Sequence, residues 1–214
     1  MRRHHKRFDT GGGGNDPILV MSIPFDSNGA IVDLVSGNSV TANSSYNTLA
    51  YDSSQGSYYI QGVRQYAYNN NWNSFAMRIQ TSLPDPSLYD YQIEFDGKMT
   101  SSNSGTYRCT SMGFLTNSNG MAMPFAFQIP TSNTASNIRY LETNTWKHIK
   151  LFVSFTDSLR KGWVDGDLQL DSSYTFSAIN TNYFLFLTTR WNADTGVNTK
   201  MYIKNFTLHA IPRS

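Results

Sequence analysis

Short segments in which apolar and polar residues strictly alternate constrain this chain more than any other feature of its sequence. In Tyr91 to Phe95 and in Ile149 to Phe155, apolar residues occupy every second position, which is the period of a half-buried β-strand. Clusters of Gly, Asn, Ser and Asp separate such segments at intervals of roughly ten to fifteen residues, as in sandwich folds. Aromatic residues make up 14% of the chain and charged residues only 15%, a composition that favours strands over amphipathic helices. The pattern predicts an all-β fold of two packed antiparallel sheets.

Three further segments predict where particular strands lie in these sheets. Tyr183 to Thr189 is apolar on both faces and predicts a central buried strand. Pro124 lies within the alternating run Met121 to Ile129, and proline is tolerated in strands at edges or bulges. The last strand is predicted from Met201 to Ile211, because Tyr202, Phe206 and Leu208 are interleaved there with polar residues.

The chain divides into a short arm and one domain. Residues 1–14 form a basic, glycine-rich arm with the cations Arg2, Arg3, Lys6 and Arg7 and a Gly11 to Gly14 hinge. Residues 15–214 are predicted to form a single sandwich, a usual size for this class. The chain has 17 basic and 15 acidic residues, and without the arm's four cations 13 basic residues remain. We therefore do not expect nucleic acid as a partner of the sandwich.

Cysteine content and hydropathy limit the settings in which this sequence works. Cys109 is the only cysteine, which excludes an intrachain disulfide and makes a thiolate metal site untenable. The sequence contains no apolar run of membrane-spanning length, and Phe8 to Gly11 replaces the apolar core of a signal peptide. We expect a protein made in a cytoplasm without a membrane segment.

Three parts of the sequence resemble laminin-G-like domains of the concanavalin A-like superfamily. One is a tryptophan-initiated strand followed by a hairpin with an Asp-Gly turn, one is the closing strand, and one resembles the opening "F-D … D-x-x-S-G-N" of these domains. In this sequence they are Asn144 to Leu151 with Trp163 to Leu168, then Met201 to Leu208, and lastly Phe25-Asp26, Asp33 and Ser36-Gly37-Asn38. The resemblance implies a two-sheet jelly roll whose closing strand returns beside the opening strand.

The resemblance also raises the question of catalysis and metal binding. Related family-16 glucanases carry Glu-x-Asp-x-Glu on one strand, so that three carboxylates face the sugar. Here Glu94-Phe95-Asp96-Gly97-Lys98 begins that pattern and ends in a lysine, so we predict that the protein is not an enzyme. His148 and His209 have no partner at metal-ligand spacing, and no metal site or cofactor is predicted. Calcium remains open through the resemblance, with loop aspartates as ligands: Asp16, Asp26, Asp33, Asp165 and Asp167.

Two clusters of aromatic and amide residues are candidate glycan contacts, because sugar C–H faces stack on aromatic rings and amides bond hydroxyl groups. The first combines Tyr66, Tyr68 and Trp72 with the asparagines between them, and the second is Arg190, Trp191 and Asn192. An alternative for both clusters is that the rings pack in the core and the asparagines form turns.

The leading hypothesis is a non-catalytic structural or adhesion protein of a bacteriophage virion, as capsid decoration, head fibre or tail, made in the bacterial host. Sandwiches of this type resemble those displayed on phage particles. The arm would bind other virion proteins in a larger assembly, and the lectin-like sandwich would face host-surface glycans. An alternative is a glycan-binding module of a bacterial surface or secreted protein. A third hypothesis is a degenerate glycanase.

Overall fold

The computed structural model describes residues 16–42, 47–62, 77–100, 108–116, 121–128, 144–175, 178–190 and 200–213. Every regular element in these ranges is a β-strand, which confirms the predicted all-β class. Within them, no helix has the length and apolar character needed to cross a membrane. The arm, residues 1–14, lies outside the described residues, so its boundary with the sandwich stays a prediction. The strands are β1 (Ile18–Ile23), β2 (Val40–Ala42), β3 (Asn47–Asp52), β4 (Ser57–Gly62), β5 (Met77–Gln80), β6 (Tyr89–Thr100), β7 (Arg108–Thr116), β8 (Met121–Gln128), β9 (Lys147–Ser154), β10 (Leu159–Val164), β11 (Asp167–Ser173), β12 (Ile179–Arg190) and β13 (Lys200–Pro212).

The strands form two antiparallel sheets. The eight-stranded sheet has the order β11-β10-β9-β6-β13-β4-β3, with β1 also paired to β13, and the five-stranded sheet has the order β2-β5-β12-β7-β8. One long edge of β13 pairs with β6, while its other edge pairs first with β4 and then with β1. The closing strand therefore lies beside the opening strand, as the resemblance predicts.

The core lies between the two sheets and is built from the alternating residues that the sequence pattern assigns to inner faces. Phe206 of the eight-stranded sheet packs on Phe184 of the five-stranded sheet with ring centroids 5.5 Å apart, and Tyr91 packs on Phe114 at 5.6 Å. The largest fully buried side chains come from both sheets: Tyr91, Phe95, Phe114, Phe184, Phe206, Met21, Ile23, Ile60 and Met77. Burial of this apolar area is the main favourable contribution to folding.

A β-bulge in β13 corrects one sequence-based prediction. Strict alternation places Tyr202 on the same face as Phe206 and Leu208, but the pairing with β6 shifts register between Lys204 and Thr207. Asn205 adopts the left-handed region there, with φ 53°. Met201 and Ile203 therefore join Phe206 and Leu208 in the core, and Tyr202 lies on the opposite, outer face of the sheet.

Three local predictions are confirmed by the pairing. Asp165 and Gly166 have φ values of 51° and 89° and form the tight turn between β10 and β11. Pro124 lies in β8, which is the edge strand of the five-stranded sheet, next to a register shift in its pairing with β7. Both settings tolerate a residue without an N–H group. The predicted strand of Tyr183 to Thr189 lies within β12, the central strand of its sheet.

Candidate functional site

Four residues stand side by side across the outer face of the eight-stranded sheet. Tyr202 of β13 pairs with Lys98 of β6 on one side and with Tyr59 of β4 on the other. Trp146 immediately precedes β9, whose Lys147 pairs with Gly97, so the indole lies next to Lys98. Side chains of directly paired residues point the same way. Three neighbouring strands and the residue before a fourth thus form one row. Its order is Tyr59, Tyr202, Lys98 and Trp146.

Two more lysines flank this row because β13 alternates Lys200, Tyr202 and Lys204 on the same face. The Lys200 Nζ lies 4.1 Å from the centroid of the Tyr59 ring, and the Lys204 Nζ lies 4.6 Å from that of Trp146. The Lys98 Nζ lies 5.3 Å from the Trp146 ring and 5.0 Å from the Tyr202 ring. These are cation–π distances. We call this set the lysine–aromatic patch: Lys98, Lys200, Lys204, Trp146, Tyr59 and Tyr202.

Lys98 is the least exposed cation of the patch, with 6% of its surface accessible. Its ammonium group donates a hydrogen bond to Oε1 of Gln55 in the turn between β3 and β4. Burial lowers the pKa of Lys98; the negative charge of Asp52 opposes this shift, and the positive charge of Lys204 adds to it. The patch therefore holds a cation whose charged form is only partly compensated.

Asp52 supports the patch from the end of β3. Its carboxylate accepts hydrogen bonds from Ser54 Oγ at 2.7 Å and from the Tyr202 phenol at 2.9 Å. These bonds hold the pKa of Asp52 below its ordinary value, with a smaller contribution from the charge of Lys200. Burial, followed by the bond to Asp52, raises the pKa of Tyr202 well above its ordinary value. The phenol therefore remains a hydrogen-bond donor at neutral pH.

A carboxylate–histidine cluster adjoins the patch on the same face. The Asp96 carboxylate lies 3.1 Å from Nδ1 of His148 and accepts a 2.7 Å hydrogen bond from the Asn205 amide. Glu94 lies 3.8 Å from Nε2 of His148 and 3.7 Å from the Lys150 ammonium. His148 is half exposed, with 54% of its side chain accessible. The cluster is thus a solvated network of hydrogen-bonded side chains with an ion pair between Glu94 and Lys150.

The structure bears out the common face of Glu94, Asp96 and Lys98, since Phe95 and Met99 of the same strand are buried in the core. Lys98 occupies the position of the last carboxylate in the glucanase pattern. A retaining mechanism uses a pair of carboxylates, and an ammonium group cannot replace either of them. That the protein is not an enzyme remains a prediction.

The loop aspartates considered for calcium have other partners or lie apart. Asp33 is fully buried, and its two oxygens accept hydrogen bonds from the N–H groups of Ser22, Val35 and Ser36. Asp165 forms an ion pair with Lys147 at 2.9 Å. The remaining three are exposed: Asp16, Asp26 and Asp167. In the part of the chain that the structure describes, no group of three or more His, Cys, Asp or Glu residues could hold a metal ion.

Most of the glycan contacts predicted from sequence lie outside the described residues. This holds for Tyr66, Tyr68 and Trp72 and for Trp191 and Asn192. The arm cations predicted to bind a partner also lie outside the described residues: Arg2, Arg3, Lys6 and Arg7. The backbone of Arg190 ends β12, where it pairs with Arg108 in the five-stranded sheet, away from the lysine–aromatic patch.

Sequence reasoning missed the patch itself. The spacing Lys200-x-Tyr202-x-Lys204 was the available signal, because it places two cations and a ring on one strand face. Two further facts were needed. One is the bulge that turns this face outward, and the other is the register that brings Lys98 and Tyr59 beside it.

Comparison with solved structures identifies the class of fold to which this chain is similar. No family model matches the chain, and no curated protein matches its sequence. Solved structures do match, and they show a lectin-like jelly-roll β-sandwich of the kind found in toxin binding domains. At the low sequence identities involved, these matches show the fold alone.

Three structures represent these matches. The binding domain of Paraclostridial Mosquitocidal Protein 1 has a TM-score of 0.51 and 18% identity, over 92% of this chain and 49% of that chain. Botulinum neurotoxin type C, whose passage into cells depends on interaction with two ganglioside molecules, has a TM-score of 0.52 and 12% identity, over 92% and 48%. A sialidase has a TM-score of 0.50 and 11% identity, over 79% and 16%. This chain spans about half the length of the two toxin structures.

Proposed function

We propose that this chain is a non-catalytic glycan-binding module and that the lysine–aromatic patch is its contact surface. The observation that carries the proposal is the row of Trp146, Lys98, Tyr202 and Tyr59 on one outer sheet face. Trp146 and Tyr59 are half-buried, so each ring is held by its neighbours and still presents area to solvent. An aromatic ring of this kind offers an apolar surface to the C–H face of a sugar.

The polar groups of the patch supply the complementary part of recognition. The ammonium groups of Lys200 and Lys204 can donate hydrogen bonds to sugar oxygens. Binding sites of this sort combine apolar area with a few placed polar groups. The likeness in fold to toxin structures, one of them from a toxin that interacts with gangliosides, also supports glycan binding.

A glycan array probed with the full-length chain tests the proposal. Replacement of Trp146 by Ala should weaken binding to any retained glycan by about tenfold, the equivalent of about 1.4 kcal/mol. Trp163→Ala is the matched control. Trp163 is half-buried and pairs with Lys150 on the same sheet face, but two strands away from Lys98. An array without any retained glycan, or equal losses in the two variants, would overturn the proposal.

Display of the module on a bacteriophage virion, or on a bacterial cell surface, is a second part of this proposal. The basic arm with Arg2, Arg3, Lys6 and Arg7 supports it, because four cations on a glycine tether suit an acidic site on a larger particle. Deletion of residues 1–14 should abolish incorporation into the particle and leave glycan binding intact. Normal incorporation of the truncated chain would remove the anchoring role of the arm.

A further inference from the structure

The lysines of the patch differ from the other described lysines in their partners. Each of the other lysines forms an ion pair: Lys147 with Asp165 at 2.9 Å, Lys150 with Glu94 at 3.7 Å, and Lys161 with Asp171 at 3.4 Å. Among the described residues, no carboxylate forms an ion pair with a lysine of the patch. The unpaired lysines are Lys98, Lys200 and Lys204.

This arrangement leaves three lysines without an ion pair on one small area of the sheet, with their positive charge only partly compensated. Asp52 is the carboxylate that acts on the patch, and two of its hydrogen-bond donors are Ser54 and Tyr202. Burial is the main cause of the lowered pKa of Lys98, and the positive charge of Lys204 lowers it further. Lys98 is also nearly buried, where a charge without an ion pair is costly even with its hydrogen bond to Gln55. An anion next to these ammonium groups would offset that cost.

We propose that the lysine–aromatic patch binds acidic sugars, with Lys200 and Lys204 in contact with a carboxylate or sulfate group of the glycan. Lys98, which is nearly buried beneath the patch surface, attracts the anionic group through its charge without contacting it. Trp146 and Tyr59 contact the sugar ring. The inference rests on the proposed function and adds the chemical class of the ligand.

Two observations favour an acidic sugar over a nucleic acid or another polyanion. The positive charge is local, because the chain beyond position 7 has 13 basic and 15 acidic residues, and the neighbouring cluster of Glu94 and Asp96 is acidic. A long polyanion would have to cross those carboxylates. A single anionic group on an otherwise neutral sugar needs only one or two ammonium groups, and Lys200 and Lys204 supply these on either side of Tyr202 on β13.

The test uses the full-length chain on an array of matched triplets. Each triplet has one sugar core in neutral, carboxylated and sulfated form, for example lactose, 3′-sialyllactose and 3′-sulfated lactose. We expect retention of a charged member and little retention of its neutral counterpart. Comparing retention of the carboxylated and the sulfated member shows which of the two anionic groups the patch binds.

Variants then assign the preference to the patch. Lys200→Gln and Lys204→Gln should each weaken binding of the charged member by about tenfold, the usual cost of a lost charge-assisted hydrogen bond. Lys161→Gln removes the same charge from an exposed ion pair on β10 and should leave binding unchanged. A chain with Arg2, Arg3, Lys6 and Arg7 replaced by Gln should also bind normally, which separates the patch from the arm.

The outcomes distinguish the two proposals. If no glycan of any kind is retained, the proposed function fails and the inference falls with it. If glycans are retained equally in neutral and charged form, or if the Lys200 and Lys204 variants bind the charged member like the Lys161 variant, the inference alone is overturned. Both lysines are half-buried, so these variants should fold, and equal melting temperatures would confirm this.

Discussion

Tyr202 donates a hydrogen bond from its phenol to Oδ2 of Asp52 over 2.9 Å and so joins the start of β13 to the end of β3. Tyr202 is only 4% exposed, so its hydroxyl group has little access to water. Asp52 begins the turn that carries Gln55, whose side-chain oxygen accepts the hydrogen bond from Lys98. The bond between Tyr202 and Asp52 therefore positions the turn that supports the lysine–aromatic patch.

Removal of the Tyr202 hydroxyl group should loosen this turn without removing the ring from the patch. We expect Tyr202→Phe to lower the melting temperature slightly, and Tyr202→Ala to cost about 3 kcal/mol because it leaves a cavity. Chemical denaturation of the two variants measures the difference. Tyr51→Phe is the control, since its hydroxyl group makes a long 3.3 Å bond to the carbonyl oxygen of Asp26. Equal stability of Tyr202→Phe and the parent protein would show that the bond does not hold the turn.

Asp33 organises the loop between β1 and β2. Its carboxylate accepts three backbone N–H groups, and Asp33→Ala would leave these donors without a partner in a buried setting. We expect a loss of about 3 kcal/mol in the free energy of unfolding. Asp26→Ala, at an exposed position nearby, should change stability by less than about 0.5 kcal/mol. Similar denaturation midpoints for the two variants would contradict the structural role of Asp33.

Gly97 lies where the core has no room for a side chain. A β-carbon at this position would lie 2.8 Å from Cδ1 of Ile149 and 2.9 Å from Cε2 of Phe95. We expect Gly97→Ala to destabilise the fold by about 1–3 kcal/mol through overpacking. The added change Ile149→Val removes the nearer methyl group and should restore part of the loss. Gly29→Ala is the control, because a β-carbon at that position would have no contact within 4 Å. A neutral Gly97→Ala would show that the two side chains move aside freely.

Arg213 links the last described residues to neighbouring strands through ion pairs with two aspartates. One of these pairs should make the stability of the fold depend on pH. Its guanidinium donates hydrogen bonds to Asp90 at 2.6 Å and to both oxygens of Asp157. The bond from Arg213 holds the pKa of Asp157 below its ordinary value. A carboxylate whose pKa is lower in the folded state contributes stability above its unfolded pKa of about 4. This contribution disappears as the pH falls through the folded pKa.

We therefore expect Arg213→Met to lower the melting temperature at pH 7, with a gap to the parent protein that closes as the pH falls below about 4. Thermal unfolding followed by circular dichroism over this pH range measures the gap. Lys161→Met, which breaks one exposed pair with Asp171, should have a small effect at every pH. A gap that stays constant from pH 7 to the acid limit would show that Asp157 is not the titrating partner.

Much of the fold could be predicted because its signals are local. The alternation in Tyr91 to Phe95 and in Ile149 to Val153 correctly identifies the inner faces of β6 and β9. The Asp165-Gly166 turn and the edge position of Pro124 follow from backbone preferences of single residues. The face of Tyr202 could not be predicted in this way, because one extra residue at the Asn205 bulge reverses the alternation.

The sequence by itself determined the all-β class, the Asp165-Gly166 turn and the buried faces of strands such as β6 and β9, because side-chain period and φ preference act over a few residues. It did not determine which strands are neighbours. Trp146, Lys98, Tyr202 and Tyr59 come from four separate strands or their ends, and they meet through backbone pairing across long stretches of chain. Only the tertiary structure brought these residues together, because strand order and register depend on how the two apolar faces pack as a whole.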